Sequence, residues 1–225
     1  MIVSLAVALD LAQQCAQSVA PATILSIAHA ESSFDTLAIN VNNGPRLRPA
    51  TDAADAARLA RRYIAAGYSV DLGLGQINSN NLGWLGLSVE DALDPCRNLA
   101  AAARVIGLNY RAAARSGASG QEAMGIALSL YNTGRPRRGF ANGYVARVYR
   151  SAAIVTRGLG APAPVAAPPR ENSAARDTSA PLPPQSAAPA PVPAPAPAPG
   201  WDVFARPAAP ALVFSRRSEV GEMMQ

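Results

Sequence analysis

Fifteen of the chain's 20 prolines lie after Gly158, and the densest stretch alternates Pro with other residues, mostly Ala, from Pro189 to Pro199. Proline fixes φ and has no N–H to donate, so helix and sheet are both excluded from that run. An extended polyproline-II spacer is what remains, and at about 3.1 Å per residue it reaches tens of ångströms. Any folded core in this 225-residue chain must therefore form before it. The composition predicts three parts: a domain over 1–157, a disordered Pro/Ala-rich linker over 158–200, and a tail over 201–225. The tail holds two apolar islets, Trp201–Phe204 and Leu212–Phe214. Such islets read either as docking motifs that order on a partner or as apolar residues without a role.

Residues 1–157 carry helical periodicity, and the expected fold is mainly α with one small β element. Pro21 suits the first position of a helix covering 22–33, and Asn42-Asn43-Gly44-Pro45 marks a turn that could join short strands. Further helices are expected over 52–66, from a Ser88/Asp91 cap, from Asp94-Pro95 to Arg115, over 121–131 and over 142–156. Tyr68 to Ile77, with Gly73 and Gly75, reads as extended. Residues 2–9 are largely apolar but lack a basic segment before them, and Asp10 follows directly. A first amphipathic helix carrying Leu5, Leu9, Ala12 and Ala16 fits better than a leader ending at Ala20. No run of eighteen apolar residues occurs, so no transmembrane segment is expected.

Every basic residue is arginine, and the net charge is +5. Nucleic-acid binders concentrate such charge on one face, whereas these arginines look scattered, so no nucleic-acid partner is expected. Arg61, Arg62 and Arg135–Arg138 read as solvated, with contact to acidic peptides as the alternative. Cys15 and Cys96 are either free or paired, and pairing requires an oxidising compartment.

Three glutamates precede the linker. Glu90 and Glu122 fall in first turns of helices, where a carboxylate complements the dipole. Glu31 instead follows Ile24, Ile27 and Ala28 by seven, four and three residues, which puts it on the apolar stripe. A carboxyl there is desolvated and keeps its proton to higher pH, as donating to a glycosidic oxygen requires; a buried ion pair with arginine is the structural alternative. The segment Gly73-Leu-Gly-Gln-Ile-Asn78 decides between them. Its glycines allow close backbone approach to a flat ligand, and Gln76 and Asn78 supply amides suited to sugar hydroxyl and acetamido groups. It lacks the third glycine of a nucleotide loop. Tyr131 and Tyr144 stand at helix ends, as cleft walls do. His29, the one histidine, lies on another helix face from Glu31 and reads as structural. Neither a metal site nor a cofactor is expected.

His29-Ala-Glu-Ser-Ser33, Gly73–Asn78, Leu130-Tyr-Asn-Thr-Gly134 and Tyr144-Val145, in that order, resemble the goose-lysozyme-like soluble lytic transglycosylases. With Asp94-Pro-Cys-Arg-Asn98, the series is most similar to the small transglycosylase subunit of type IV secretion systems. The resemblance covers about residues 8–155. It implies a lysozyme-like domain that acts on peptidoglycan strands in the periplasm; separately, the proline-rich spacer with its terminal apolar islets would let the tail engage other secretion components. It implies Glu31 as the acid and then the base that closes a 1,6-anhydro ring. Ser32 and Gln76 would orient the acetamido group, and Asn78, Tyr131, Asn132 and Tyr144 would line the cleft, a tyrosine restraining Glu31. A Cys15–Cys96 disulfide is implied by the same setting. The rival reading within glycan-cleaving enzymes, a hydrolytic lysozyme, needs a second carboxylate. Asp35 and Asp71 are the candidates, but Asp35 suits an Asx turn and Asp71 suits an arginine partner. A catalytically weak wall-binding assembly factor is the reading from another class.

Overall fold

The computed structural model describes residues 1–160. Side-chain caps open four of the α-helices among the described residues. Ser4 Oγ accepts from Val7 N to open α1, Leu5–Cys15. Pro21 begins α2, Pro21–Ser32, where its missing N–H leaves nothing unpaired. Asp52 accepts from Asp55 N at 2.8 Å to start α3, Ala53–Ala65. After a short 3₁₀ turn at Ser79–Asn81 come α4, Leu82–Leu85, and α5, Val89–Leu93. Ser88 and Asp91 form a reciprocal capping box on α5, as the sequence predicts. Asp94 caps α6, Pro95–Arg115, by accepting from Arg97 N at 2.8 Å. Then follow α7, Gly120–Thr133, α8, Arg138–Ala141, and α9, Tyr144–Gly158.

Helix α2 is the centre. Five consecutive residues, Ile24 to Ala28, are buried, so α2 is enclosed nearly all round rather than on one stripe. It packs mainly on α9, with α1 and α6 also against it. Alanines fill much of the contact surface: Ala8, Ala12 and Ala16 around α1, Ala102 and Ala103 on α6, Ala123 and Ala127 on α7. Small side chains let helix axes come close, which offsets the shortage of aromatics. In α1 the deepest residues are Ala8 and Ala12, while Leu5 and Leu9 are half-buried, so the buried face is rotated from the expected stripe.

The strands β1, Ile39–Val41, β2, Val70–Leu72, and β3, Ile77–Asn78, form an antiparallel sheet in the order β1-β2-β3. The turn after β1 does not make a hairpin, because α3 intervenes before β2. The described residues thus bear out a mainly helical domain with a small β element; the tail islets lie outside them. Cys15 and Cys96 are joined, with Cα atoms 5.3 Å apart, tying the end of α1 to the first turn of α6. Two short helices, α4 and α8, escape the sequence reading because four residues carry no period. The last helix begins at Tyr144, since Asn142 ends α8 and Gly143 takes a left-handed φ of 78°. Among the described residues no helix is long and apolar enough to cross a membrane.

Candidate active site

Glu31 sits in the last turn of α2, where the chain leaves the helix through two successive left-handed residues, Ser33 and Phe34. Phe34 is buried and meets His29 edge-on at 5.4 Å between ring centroids. His29 Nδ1 lies 2.9 Å from Ser151 Oγ on α9, so the histidine serves the α2–α9 packing. This fixes the end of α2 and presents Glu31 half-buried.

The Tyr144 hydroxyl, buried at the start of α9, donates to Glu31 Oε1 at 2.6 Å. Burial pushes the Glu31 carboxyl up to about 7. The Tyr144 hydrogen bond and the Arg147 cation oppose that rise, and Asp71 adds to it. Burial together with the neighbouring carboxylate also raises the Tyr131 and Tyr144 phenols well above their usual range. They stay neutral donors. Arg147 lies over the Tyr144 ring at 5.0 Å from its centroid.

The glycine segment forms the turn from β2 to β3. Gly73 has φ 70°, and a Cβ there would lie 2.5 Å from Asn98 Nδ2 and 2.8 Å from the Ala92 carbonyl. A Cβ on Gly75 would stand 2.9 Å from Ala102 Cβ and 3.1 Å from the Tyr131 hydroxyl. Both positions therefore exclude a side chain. Asn98, fully buried on α6, holds the turn: Nδ2 donates to Leu72 O and Ala92 O, and Oδ1 accepts from Gly75 N at 2.7 Å. Tyr131 donates to Gly75 O at 2.6 Å, and Ser32 Oγ lies 2.9 Å from Leu74 O and 3.1 Å from Ala28 O. Gln76 carries a left-handed φ of 51°, unusual outside glycine. Its Nε2 donates to Gly73 O and Ala38 O, so its carbonyl oxygen is the end left to a ligand.

The sheet register sets Asp71 opposite Asn40 on one side and Asn78 on the other. Asn78 Nδ2 donates to Asp71 Oδ1 at 2.6 Å, and Asn42 and Asn40 donate to Oδ2 at 2.8 and 3.2 Å. The expected arginine partner is replaced by three amides, because Asn40 of β1 and Asn42 just beyond it, two residues apart, both reach Asp71 through a strand pairing that sequence spacing alone does not give. Asp35 accepts from Leu37 N at 3.0 Å, an Asx turn as expected.

Glu31, Ser32, Gln76, Tyr131 and Tyr144 thus meet through direct bonds or through the glycine turn. Asn78 is committed to Asp71 and Ser69, and the exposed Asn132 accepts from Asn142 at 2.9 Å. Arg147 stands outside every motif quoted from the sequence, and Asn98 enters only as the end of the Asp94–Asn98 segment, with no role. The signals were present: an Asn inside an otherwise apolar helix face, and a cation in a helix's first turn.

The same stretch of chain matches a family model. The transglycosylase SLT domain covers residues 10–152. The chain belongs to that family. Relatives include Protein virB1 of Agrobacterium fabrum, 41% identical over 143 residues, which are 64% of this chain and 58% of that protein. Protein virB1 of Rhizobium radiobacter is 43% identical over 141 residues, 63% of this chain and 59% of the relative. The type IV secretion system protein virB1 of Brucella abortus is 35% identical over 155 residues, 66% of this chain and 65% of that protein. The chain therefore spans about three-fifths of the length of the first two. No solved structure matches it.

Proposed function

We propose that this SLT-domain protein is a peptidoglycan lytic transglycosylase that opens the wall for a type IV secretion apparatus. One observation carries the chemistry: a half-buried carboxyl pushed up to about 7 and gripped by a neutral tyrosine. Near neutral pH such a group exists in both protonation states, which suits one residue acting as acid and then as base. Glu31 donates its proton to the oxygen between N-acetylmuramic acid and N-acetylglucosamine. The departing bond's electrons go to that oxygen while the substrate's acetamido carbonyl supports the anomeric carbon. Glu31, now ionised, takes the proton of the 6-hydroxyl, whose oxygen closes the 1,6-anhydro ring. No water is consumed, so no second carboxylate is required.

In this reading Tyr144 holds the Glu31 carboxyl, the Gln76 carbonyl oxygen and Ser32 orient the acetamido side, and Tyr131 supports the glycine turn. Asn78 and Asn132 line the cleft further out. The relatives' type IV secretion name and the Cys15–Cys96 bridge, which needs an oxidising compartment, support action in the periplasm. Because α9 runs to Gly158, residues 161–200 serve as spacer and 201–225 as a docking tail. Deleting 161–225 should then abolish capture of secretion components while cleavage persists; capture by the truncated chain would remove the tail from the account.

Mass spectrometry of muropeptides released by wild type and by Glu31→Gln tests the activity. Anhydro products from wild type alone are expected. Products one water heavier would mean hydrolysis and would redirect attention to Asp71.

A further inference from the structure

Charge is divided unevenly along the fold. Residues 123–160 contain six arginines and no acidic residue, whereas residues 1–122 contain nine arginines against ten acidic residues. Side-chain ion pairs follow the same division. Arg48, Arg58, Arg61 and Arg97 each pair with an acid, and among the described residues none of Arg135, Arg137, Arg138, Arg147, Arg150 and Arg157 does. All six are exposed.

Arg147 stands closest to the chemistry, stacked on the ring whose hydroxyl grips Glu31. Its position has two local costs. It lies in the first turn of α9, where the helix dipole disfavours a cation, and no acidic residue shares that turn. It also draws protons away from an acid that must keep one: of the groups around Glu31, Tyr144 and Arg147 favour the ionised form and Asp71 disfavours it. Among the described residues its partner is the Tyr144 ring, a cation–π contact, and no carboxylate pairs with it, so the anion is sought in a ligand.

We propose that Arg147, in the arginine-rich stretch that holds α8 and α9, anchors a carboxylate of the peptide stem carried by the glycan substrate. This rests on the peptidoglycan reading above and specifies which part of the polymer is recognised. The sugar rings of such a strand are neutral, and the lactyl carboxyl is consumed in the amide bond to the stem. The anions near a scissile bond are therefore those of the stem. An anion on Arg147 belongs to a molecule that also reaches Glu31; a strand lying in the cleft does so, and a bilayer surface does not. Neutralising Arg147 on binding also removes its pull on the Glu31 proton, so stem recognition and acid strength favour the same complex.

Binding is measured with the full chain carrying Glu31→Gln, using purified glycan strands with intact stems and strands stripped of stems whose freed lactyl carboxyls are amidated. The expected preference for stem-bearing strands is about tenfold, the scale of a charge-assisted hydrogen bond. Adding Arg147→Gln should abolish it, and Arg147→Lys should restore most of it. Amidating the stem carboxylates should remove the preference without any change in the protein, which keeps the test valid should Arg147→Gln fail to fold. A preference that survives Arg147→Gln or stem amidation overturns the proposal. So does its absence in the starting protein, or an Arg147→Gln effect confined to anionic lipid vesicles. Failure of the transglycosylase reading is a separate outcome: no anhydro product from wild type, with the binding preference intact.

Discussion

Around Asp55, in the first turn of α3, a carboxylate almost wholly withdrawn from solvent is met by a bidentate Arg48, by Arg58, and by the N–H and hydroxyl of Thr51. Around Glu31, at the other end of a different helix, a half-buried carboxyl has one hydrogen-bond donor from Tyr144 and a cation held at a distance. The Arg48 bonds and the Thr51 N–H hold the Asp55 carboxyl well below the usual carboxylate range, while burial pushes Glu31 up to about 7. Burial therefore does not by itself decide the charge of an acid; the donors and cations that meet it count as well. At Asp55 the fold supplies donors and cations that hold the carboxylate, and at Glu31 it withholds them, so the carboxyl keeps its proton to higher pH.

Changing the proton itself should have the largest effect. Glu31→Gln should lower turnover by about 10²–10⁴-fold, the usual contribution of a general acid or base, read as the rate of anhydro product release. Next is the single donor: Tyr144→Phe should cost about 10–100-fold in kcat. Because that hydrogen bond lowers the Glu31 value, its loss should also move the alkaline limb of the rate profile to higher pH.

The two acids should respond oppositely in stability. Glu31 binds its proton more tightly folded than unfolded, so its contribution is fully present below about 4.5 and is lost as pH rises to about 7. Thermal or urea unfolding should find Glu31→Gln more stable than wild type at pH 8, by up to about 3 kcal/mol, with the gap closing near pH 4. Asp55→Asn should instead destabilise at neutral pH. Its depressed folded value means the lost contribution is one present above the unfolded range and fading in acid, so that gap narrows as pH falls. If both substitutions shift Tm in the same direction at pH 8, the donors and cations are not what separates the sites.

The smallest effect is expected at Asp71. Asp71→Asn removes a carboxylate that raises Glu31, so the alkaline limb should move to lower pH, by less than about one unit at a typical surface dielectric. Abolished turnover would instead mean that the reaction needs a second carboxylate.

The element boundaries that could be read beforehand are those set by bonds over three or four residues. Asp94-Pro95 opening α6 and the Ser88/Asp91 box are complete within one helical turn, so the sequence carries all the information. The stripe through Ile24, Ile27, Ala28 and Glu31 is likewise a consequence of helical period alone. The exit through Ser33 and Phe34, both left-handed without being glycine, and the four-residue α8 offered no such signal.

Sequence by itself determined that the chain before the proline-rich stretch is helical, that Glu31 lies on a buried helix face, and that a glycine turn stands near it in order. These follow from steric and periodic rules acting over a few residues. Tertiary structure alone decided that Tyr144, 113 residues from Glu31, would supply its donor. It decided too that Asp71 would be held by asparagines across two strand pairings, and that Arg147 would stack on the tyrosine beside the acid. Those contacts depend on helix packing and strand register, which many distant side chains fix together and no local pattern encodes.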